Sequence, residues 1–168
     1  METLYFKTAP CHTYGTVPRV GAKAPDFTLV TPELKEIHLS DFAGKRVVLN
    51  VFPSLDTPVC AASMRRFNQE ASQLENTVVL CVSMDLPFAA GRFCELEGLK
   101  DVLPASAFRS PVFAEKYGLR IVDGPLNGLL ARAVLVVDTD GKIIYRDLVE
   151  EITEEPHYKE AIEVLTKQ

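Results

Sequence analysis

Arg46-Val47-Val48-Leu49-Asn50-Val51-Phe52-Pro53-Ser54-Leu55-Asp56-Thr57-Pro58-Val59-Cys60 is the stretch on which the fold turns. Its first seven residues form a short, Val-rich run that ends at a proline, the pattern of a strand buried on both faces. Thr57 is a good N-cap, and Pro58 suits the first helical position. Beyond them Phe67, Ala71 and Leu74 recur at i, i+4 and i+7, which predicts a helix running to about Asn76. Cys60 then falls at the third helical position, where backbone N–H groups have no partner within the helix and the macrodipole is positive. Such a setting lowers a thiol's pKa, so an exposed thiolate is expected there. Most free cysteines are small buried hydrophobes instead. The strand, the cap and the two prolines together favour a nucleophile.

Composition sets the bounds. The 168 residues, 47% of them apolar and 24% charged, suit a single soluble domain over 1–168 with a real core. A net charge of −5 argues against nucleic acid as a main partner, since affinity there comes largely from neutralising phosphates. No run of about 20 apolar residues exists to span a membrane. Met1–Lys7 has no basic region followed by a long apolar one, so no signal peptide is visible and a cytoplasmic setting is expected. Cys11, Cys60, Cys81 and Cys94 form no C-x-x-C, and free thiols in a reducing cytosol follow. Adjacent Cys11-His12 lacks the ligand spacing of a zinc site, so no metal is expected.

Working outward, residues 1 to 20 read as a β-hairpin around Leu4-Tyr5-Phe6 and His12-Thr13-Tyr14-Gly15. Lys23–Val30 alternates as a strand, with Ile37-His38-Leu39 as a short partner and one helical turn at Ser40–Gly44. His38 is expected to be a surface strand residue. Downstream of the Cys60 helix, Thr77–Ser83 is a second continuous apolar run, and two such strands joined by a helix make a right-handed βαβ unit. Cys81 lies inside that strand and is assigned to packing. Pro87–Glu95 reads as the next helix and carries Cys94, which is either packed on the sheet or a second thiol able to reach Cys60.

Ser110-Pro111 opens another helix, with Phe113 and Tyr117 on one face and Gly118 closing it. The loop 123–128 has neither a phosphate-loop nor a dinucleotide glycine spacing. Ala131–Val137 is a third buried-type strand, returning through an Asp-Gly turn at Asp138–Gly141 as Lys142–Tyr145; the aspartates do not complete a calcium loop. A last helix begins near Pro156. Arg132, at the start of a buried strand, needs a partner. Either it forms a structural ion pair or it meets the Cys60 thiolate.

Pro53-x-x-x-Thr57-x-x-Cys60, the downstream Arg132 and Cys94 on the intervening helix resemble a peroxiredoxin. The stretches Asn50–Thr57, Arg92-Phe93-Cys94 and Ala131–Val134 are similar specifically to the bacterial thiol peroxidase group of atypical two-cysteine enzymes, and the likeness runs over nearly the whole chain. The resemblance implies a thioredoxin-like α/β fold, with a central mixed sheet flanked by helices and an added N-terminal β-hairpin, usually as a homodimer. It implies that Cys60 is the peroxidatic cysteine, attacking hydrogen peroxide or an organic hydroperoxide to give a sulfenic acid. Thr57 would hydrogen-bond the thiolate and the peroxide, Arg132 would stabilise both, and Pro53 would shield the sulfur. Cys94 would resolve the sulfenic acid as an intramolecular disulfide, reduced in turn by a thioredoxin with no bound cofactor. Two other readings are a peroxide-responsive redox sensor, set apart by oxidation without turnover, and a thioredoxin-like disulfide oxidoreductase, against which the missing C-x-x-C argues.

Overall fold

The computed structural model describes residues 1–166. The N-terminal hairpin is present: β1 (Thr3–Phe6) pairs antiparallel with β2 (Ala9–His12) as a separate two-stranded sheet. Its turn, Lys7-Thr8, takes positive φ at both residues, as the twist of a tight hairpin requires.

The main sheet contains β3 (Thr28–Val30), β4 (Glu36–His38), β5 (Arg46–Val51), β6 (Thr77–Ser83), β7 (Leu103–Ser106), β8 (Ala133–Val137) and β9 (Ile143–Leu148), in the order β4-β3-β7-β6-β5-β8-β9. β5, β6 and β7 run parallel, while the β7–β3, β3–β4, β5–β8 and β8–β9 pairs are antiparallel. The sheet is therefore mixed, as the resemblance implied. The helices are α1 (Pro58–Ala71), α2 (Pro87–Glu97), α3 (Pro111–Lys116) and α4 (Tyr158–Thr166), with a short 3-10 turn at Leu39–Phe42. No helix among the described residues is long and apolar enough to cross a membrane.

Alternation along β5 divides the core. Val47, Leu49 and Val51 face a cluster with Phe27, Phe113, Tyr117 and Leu4, under α3 and the hairpin. Val48 and Phe52 face the opposite cluster, with Cys60, Met64, Phe67, Cys81, Ala161 and Leu165. Phe93 and Cys94 pack against that second cluster, so the helices carrying Cys60 and Cys94 cover the same face of the sheet.

Several boundaries differ from expectation. α1 stops at Ala71, not near Asn76: the last turn tightens, with Gln73 and Leu74 N–H groups bonded three residues back, and Asn76 turns to φ 49°. Leu74 thus packs from outside the helix. The Lys23–Val30 strand contracts to Thr28–Val30, with Lys23 making only an isolated bridge to Lys142. β7 has no counterpart in the sequence reading, because Pro104 at its second position breaks the strand pattern. The proline is tolerated because β3 meets β7 only at Val30 and Ser106, which leaves Pro104 unpaired on that side. Gly118, expected to close the third helix, follows α3 at φ 62°, and a Cβ there would come within 2.4 Å of the Thr16 backbone.

Candidate active site

β5 delivers the chain to the carboxyl edge of the sheet, and Pro53, buried, breaks it there. Thr57 is the N-cap of α1: its Oγ1 accepts the Cys60 N–H at 3.4 Å and donates to the Ser54 carbonyl at 3.0 Å. The hydroxyl proton is thus engaged away from the Cys60 sulfur. Loss of such a cap costs about 1 kcal/mol. Cys60 sits at the third position of α1, as the capping pattern predicted. Its carbonyl accepts the Ser63 hydroxyl at 2.8 Å, and the Asn50 amide of β5 donates to Ser63 Oγ at 3.3 Å.

Cys60 is fully buried, at 0% exposure, where the sequence reading expected an exposed anion. Phe52, Leu55, Met64 and Val134 belong to the cluster that encloses it. A positive charge is buried beside the sulfur. Arg132, itself only 3% exposed, donates from Nη2 to Cys60 Sγ at 3.2 Å. Arg132 thus meets the sulfur and forms no ion pair with a carboxylate among the described residues. The sheet register explains the meeting. β8 runs antiparallel to β5 with Ala133 opposite Val51, so the residue just before β8 lies beside the end of β5.

The rest of the guanidinium is informative. Nε donates to the Ile152 carbonyl at 2.7 Å, which fixes the plane of the group. Nη1 is buried and has no hydrogen-bond partner among the described residues. A buried donor left unpaired costs roughly 1–3 kcal/mol, a cost that an oxygen acceptor placed there would relieve. The Ile152 segment is tied to the hairpin, because Ile152 N–H donates to the Tyr5 carbonyl at 2.9 Å and Tyr5 N–H to the Glu150 carbonyl at 2.8 Å.

Cys94 lies in the last turn of α2, half-buried and free. Its carbonyl accepts the Leu99 N–H at 2.9 Å around Gly98, whose φ of 67° closes the helix. Burial pushes its thiol up to about 11. α1 and α2 are clasped by Arg65 and Glu97, through Nε at 3.0 Å and Nη2 at 2.9 Å. Cys81 packs inside β6 as expected; burial drives its thiol up to about 12, partly countered by the Asn50 amide. Cys11, on β2 of the hairpin, is buried and its thiol raised by burial, with Asp123 and Glu151 adding to the effect. His38 lies on β4, where its ring meets Thr28 Oγ1 at 2.9 Å.

Two groups at this edge escaped the sequence reading. The Ile152 carbonyl is a backbone atom without a side-chain signature. Asp85 receives the hydroxyl of Ser54 and the N–H of Leu55, and its only trace in sequence is an acidic residue between the second strand and Pro87.

Residues 19–162 match the Redoxin family. The chain is 51% identical over 165 residues to a thiol peroxidase of Corynebacterium glutamicum, covering 98% of this chain and 99% of that protein. It is 52% identical over 154 residues to a thiol peroxidase of Mycobacterium bovis, covering 92% of each. Among solved structures, a peroxiredoxin-like protein from Aquifex aeolicus superposes with a TM-score of 0.93 at 42% identity, over 98% of this chain and 96% of that one. A thiol peroxidase from Chromobacterium violaceum gives 0.89 at 18% identity over the same shares, a likeness of fold alone.

Proposed function

The chain belongs to the Redoxin family, among its thiol peroxidases, and on that footing we propose that Cys60 is the thiol that attacks the peroxide. Reduction of a peroxide at the expense of a thiol reductant is the activity; its division among residues is our reading. The observation that carries it is the Arg132 guanidinium, one arm on the Cys60 sulfur and another buried and free.

In this reading the Cys60 thiolate attacks the terminal oxygen of ROOH. The S–O bond forms as the O–O bond breaks, giving the sulfenic acid and an alkoxide that takes a proton to leave as alcohol or water. Arg132 Nη1 binds the oxygens on which charge develops, and Nη2 holds the sulfur in line. The Thr57 hydroxyl turns its proton from the Ser54 carbonyl to the entering peroxide, and Pro53 walls the pocket against water. Cys94 then condenses with the sulfenic acid, releasing water and forming the Cys60–Cys94 disulfide. A thioredoxin-type dithiol reduces that disulfide by thiolate exchange, regenerating both thiols.

The exposed apolar side chains Leu86, Phe88, Phe108 and Val112, on the connections after β6 and β7 and the first turns of α2 and α3, offer a surface for a homodimer. A cytoplasmic setting, in which thioredoxin is kept reduced, goes with this reading, and 1–168 acts in it as one domain.

Peroxide consumption by Cys60→Ser and Cys94→Ser variants, each with thioredoxin and its reductase or with a free dithiol, tests the assignment. The first variant loses activity under both conditions; the second loses chiefly the thioredoxin-coupled turnover. Full activity of Cys60→Ser under either condition would reject the assignment.

A further inference from the structure

Asp85 lies between the end of β6 and Leu86, the N-cap of α2. Its carboxylate collects three neutral donors: Ser54 Oγ at 2.9 Å, the Leu55 N–H at 2.8 Å and Ser83 Oγ at 2.7 Å. The Asp85 N–H returns to Ser83 Oγ at 3.2 Å, and its carbonyl accepts the Ser106 hydroxyl of β7. Among the described residues no lysine, arginine or histidine forms an ion pair with it. Ion pairing therefore does not explain a carboxylate here, and its hydrogen bonds are the strong, charge-assisted kind.

Two of the three donors belong to the connection between β5 and α1. From Ser54 the bonding continues inward, because the Ser54 carbonyl accepts both the Thr57 hydroxyl at 3.0 Å and the Thr57 N–H at 3.3 Å. Thr57 in turn caps the amide of Cys60. A continuous path thus runs from Asp85 through Ser54 and Thr57 to Cys60, and it starts on the residue from which the Cys94 helix departs.

We propose that Asp85 is a positioning residue that anchors the Cys60 loop to the root of α2, so that its carboxylate holds the peroxide-reactive arrangement together and restrains the unwinding that joins Cys60 to Cys94. The proposal rests on the assignment of these two cysteines given above. It predicts opposite effects on the two chemical steps. With the anchor removed, Thr57 and the first turn of α1 lose their fixed height against Arg132, and sulfenic acid formation slows. The same release frees the loop and the start of α2, and condensation with Cys94 quickens.

The test is rapid mixing of the reduced protein with peroxide, quenching with an alkylating agent and separation of thiol, sulfenic acid and disulfide by mass; the chain has no tryptophan to report the steps by fluorescence. Asp85→Ala is expected to lower the oxidation rate constant by about tenfold or more while raising the condensation rate constant by about threefold. Asp85→Asn keeps one acceptor oxygen for the Leu55 N–H and falls between the two. Ser54→Ala, which removes a single donor, moves both constants in the same senses by less, and carries the test with Asp85→Asn should the alanine variant fail to fold. A merely structural lesion lowers both constants together or leaves their ratio alone; either result overturns the proposal. Absence of sulfenic acid at Cys60 in the unaltered chain would instead overturn the cysteine assignment, and this proposal with it.

Discussion

Arg132 Nη2 lies 3.2 Å from Cys60 Sγ across 72 residues of sequence, and both residues are buried. A guanidinium fills this role through two arms at fixed angles, one on sulfur and one free, while Nε is held by the Ile152 carbonyl. Lysine keeps the charge and loses the fork. Arg132→Lys should therefore slow peroxide reduction by about a hundredfold, and Arg132→Met by more, since it leaves the sulfur without a counter-charge. Iodoacetamide labelling of Cys60 at neutral pH checks the same point: it should slow in the methionine variant and change little in the lysine variant. Equal peroxide rates for lysine and arginine would show that charge alone suffices.

The ion pair of Arg65 and Glu97 ties the helix of Cys60 to the helix of Cys94 near its end. Both side chains are substantially exposed, so the pair is screened by salt and contributes little to global stability. Its effect should fall on the step that separates the helices. Arg65→Ala, or molar salt on the unaltered chain, is expected to speed Cys60–Cys94 condensation by about twofold without altering sulfenic acid formation. The Arg65 hydrogen bonds hold the Glu97 carboxyl below its ordinary range. The clasp is therefore complete above that range and lost as pH falls through the lowered value, and the two rates should converge in acid.

Much of this site was legible in local chemistry. Thr57, Pro58 and Cys60 announce a capped helix with a cysteine in its first turn, because N-cap preferences act within four residues and need no tertiary knowledge. Burial of Cys60 was not legible, since Phe52 and Leu55 from its own connection pack around it together with Val134 from the distant β8. Arg132 could be flagged as needing a partner but not matched to one. The pairing of Val51 with Ala133 decides that, and register between strands so far apart leaves no local trace. The same holds for Asp85, whose ligands come from the connection two elements earlier, and for β7, whose proline is acceptable only because of where β3 stops.

The hairpin has a consequence at a distance. The Lys7 and Thr8 N–H groups of its turn donate to the Glu151 carboxylate at 2.9 and 3.2 Å, and the next residue, Ile152, supplies the carbonyl that orients Arg132. Glu151→Ala should speed amide exchange at Lys7 and Thr8 and slow sulfenic acid formation by up to about tenfold. Glu151→Gln, which retains an acceptor for one of the two amides, should recover part of both. Faster exchange with no change in the peroxide step would show that the hairpin does not steady the arginine.

Cys94 carries the last prediction. Burial in α2 pushes its thiol from 9.0 up to about 11, so between those values the folded helix binds more protons than the unwound one. The stabilisation of folded α2 by this group is complete below 9.0 and is lost as pH rises through about 11, which makes unwinding progressively easier across that window. On the proposed assignment of Cys94, its thiol ionises in the unwound state with an ordinary pKa and the thiolate attacks the sulfenic acid. Where unwinding equilibrates before the sulfurs react, the two dependences multiply. Below 9.0 the rate climbs as the unwound thiol ionises; above it, unwinding itself takes over the climb. Condensation should thus accelerate by about tenfold per pH unit up to about 11, instead of levelling off near 9.0. Pre-formed sulfenic acid jumped to each pH and sampled for disulfide measures this directly. A plateau near 9.0 would mean that Cys94 is already free of its helix when the sulfenic acid forms.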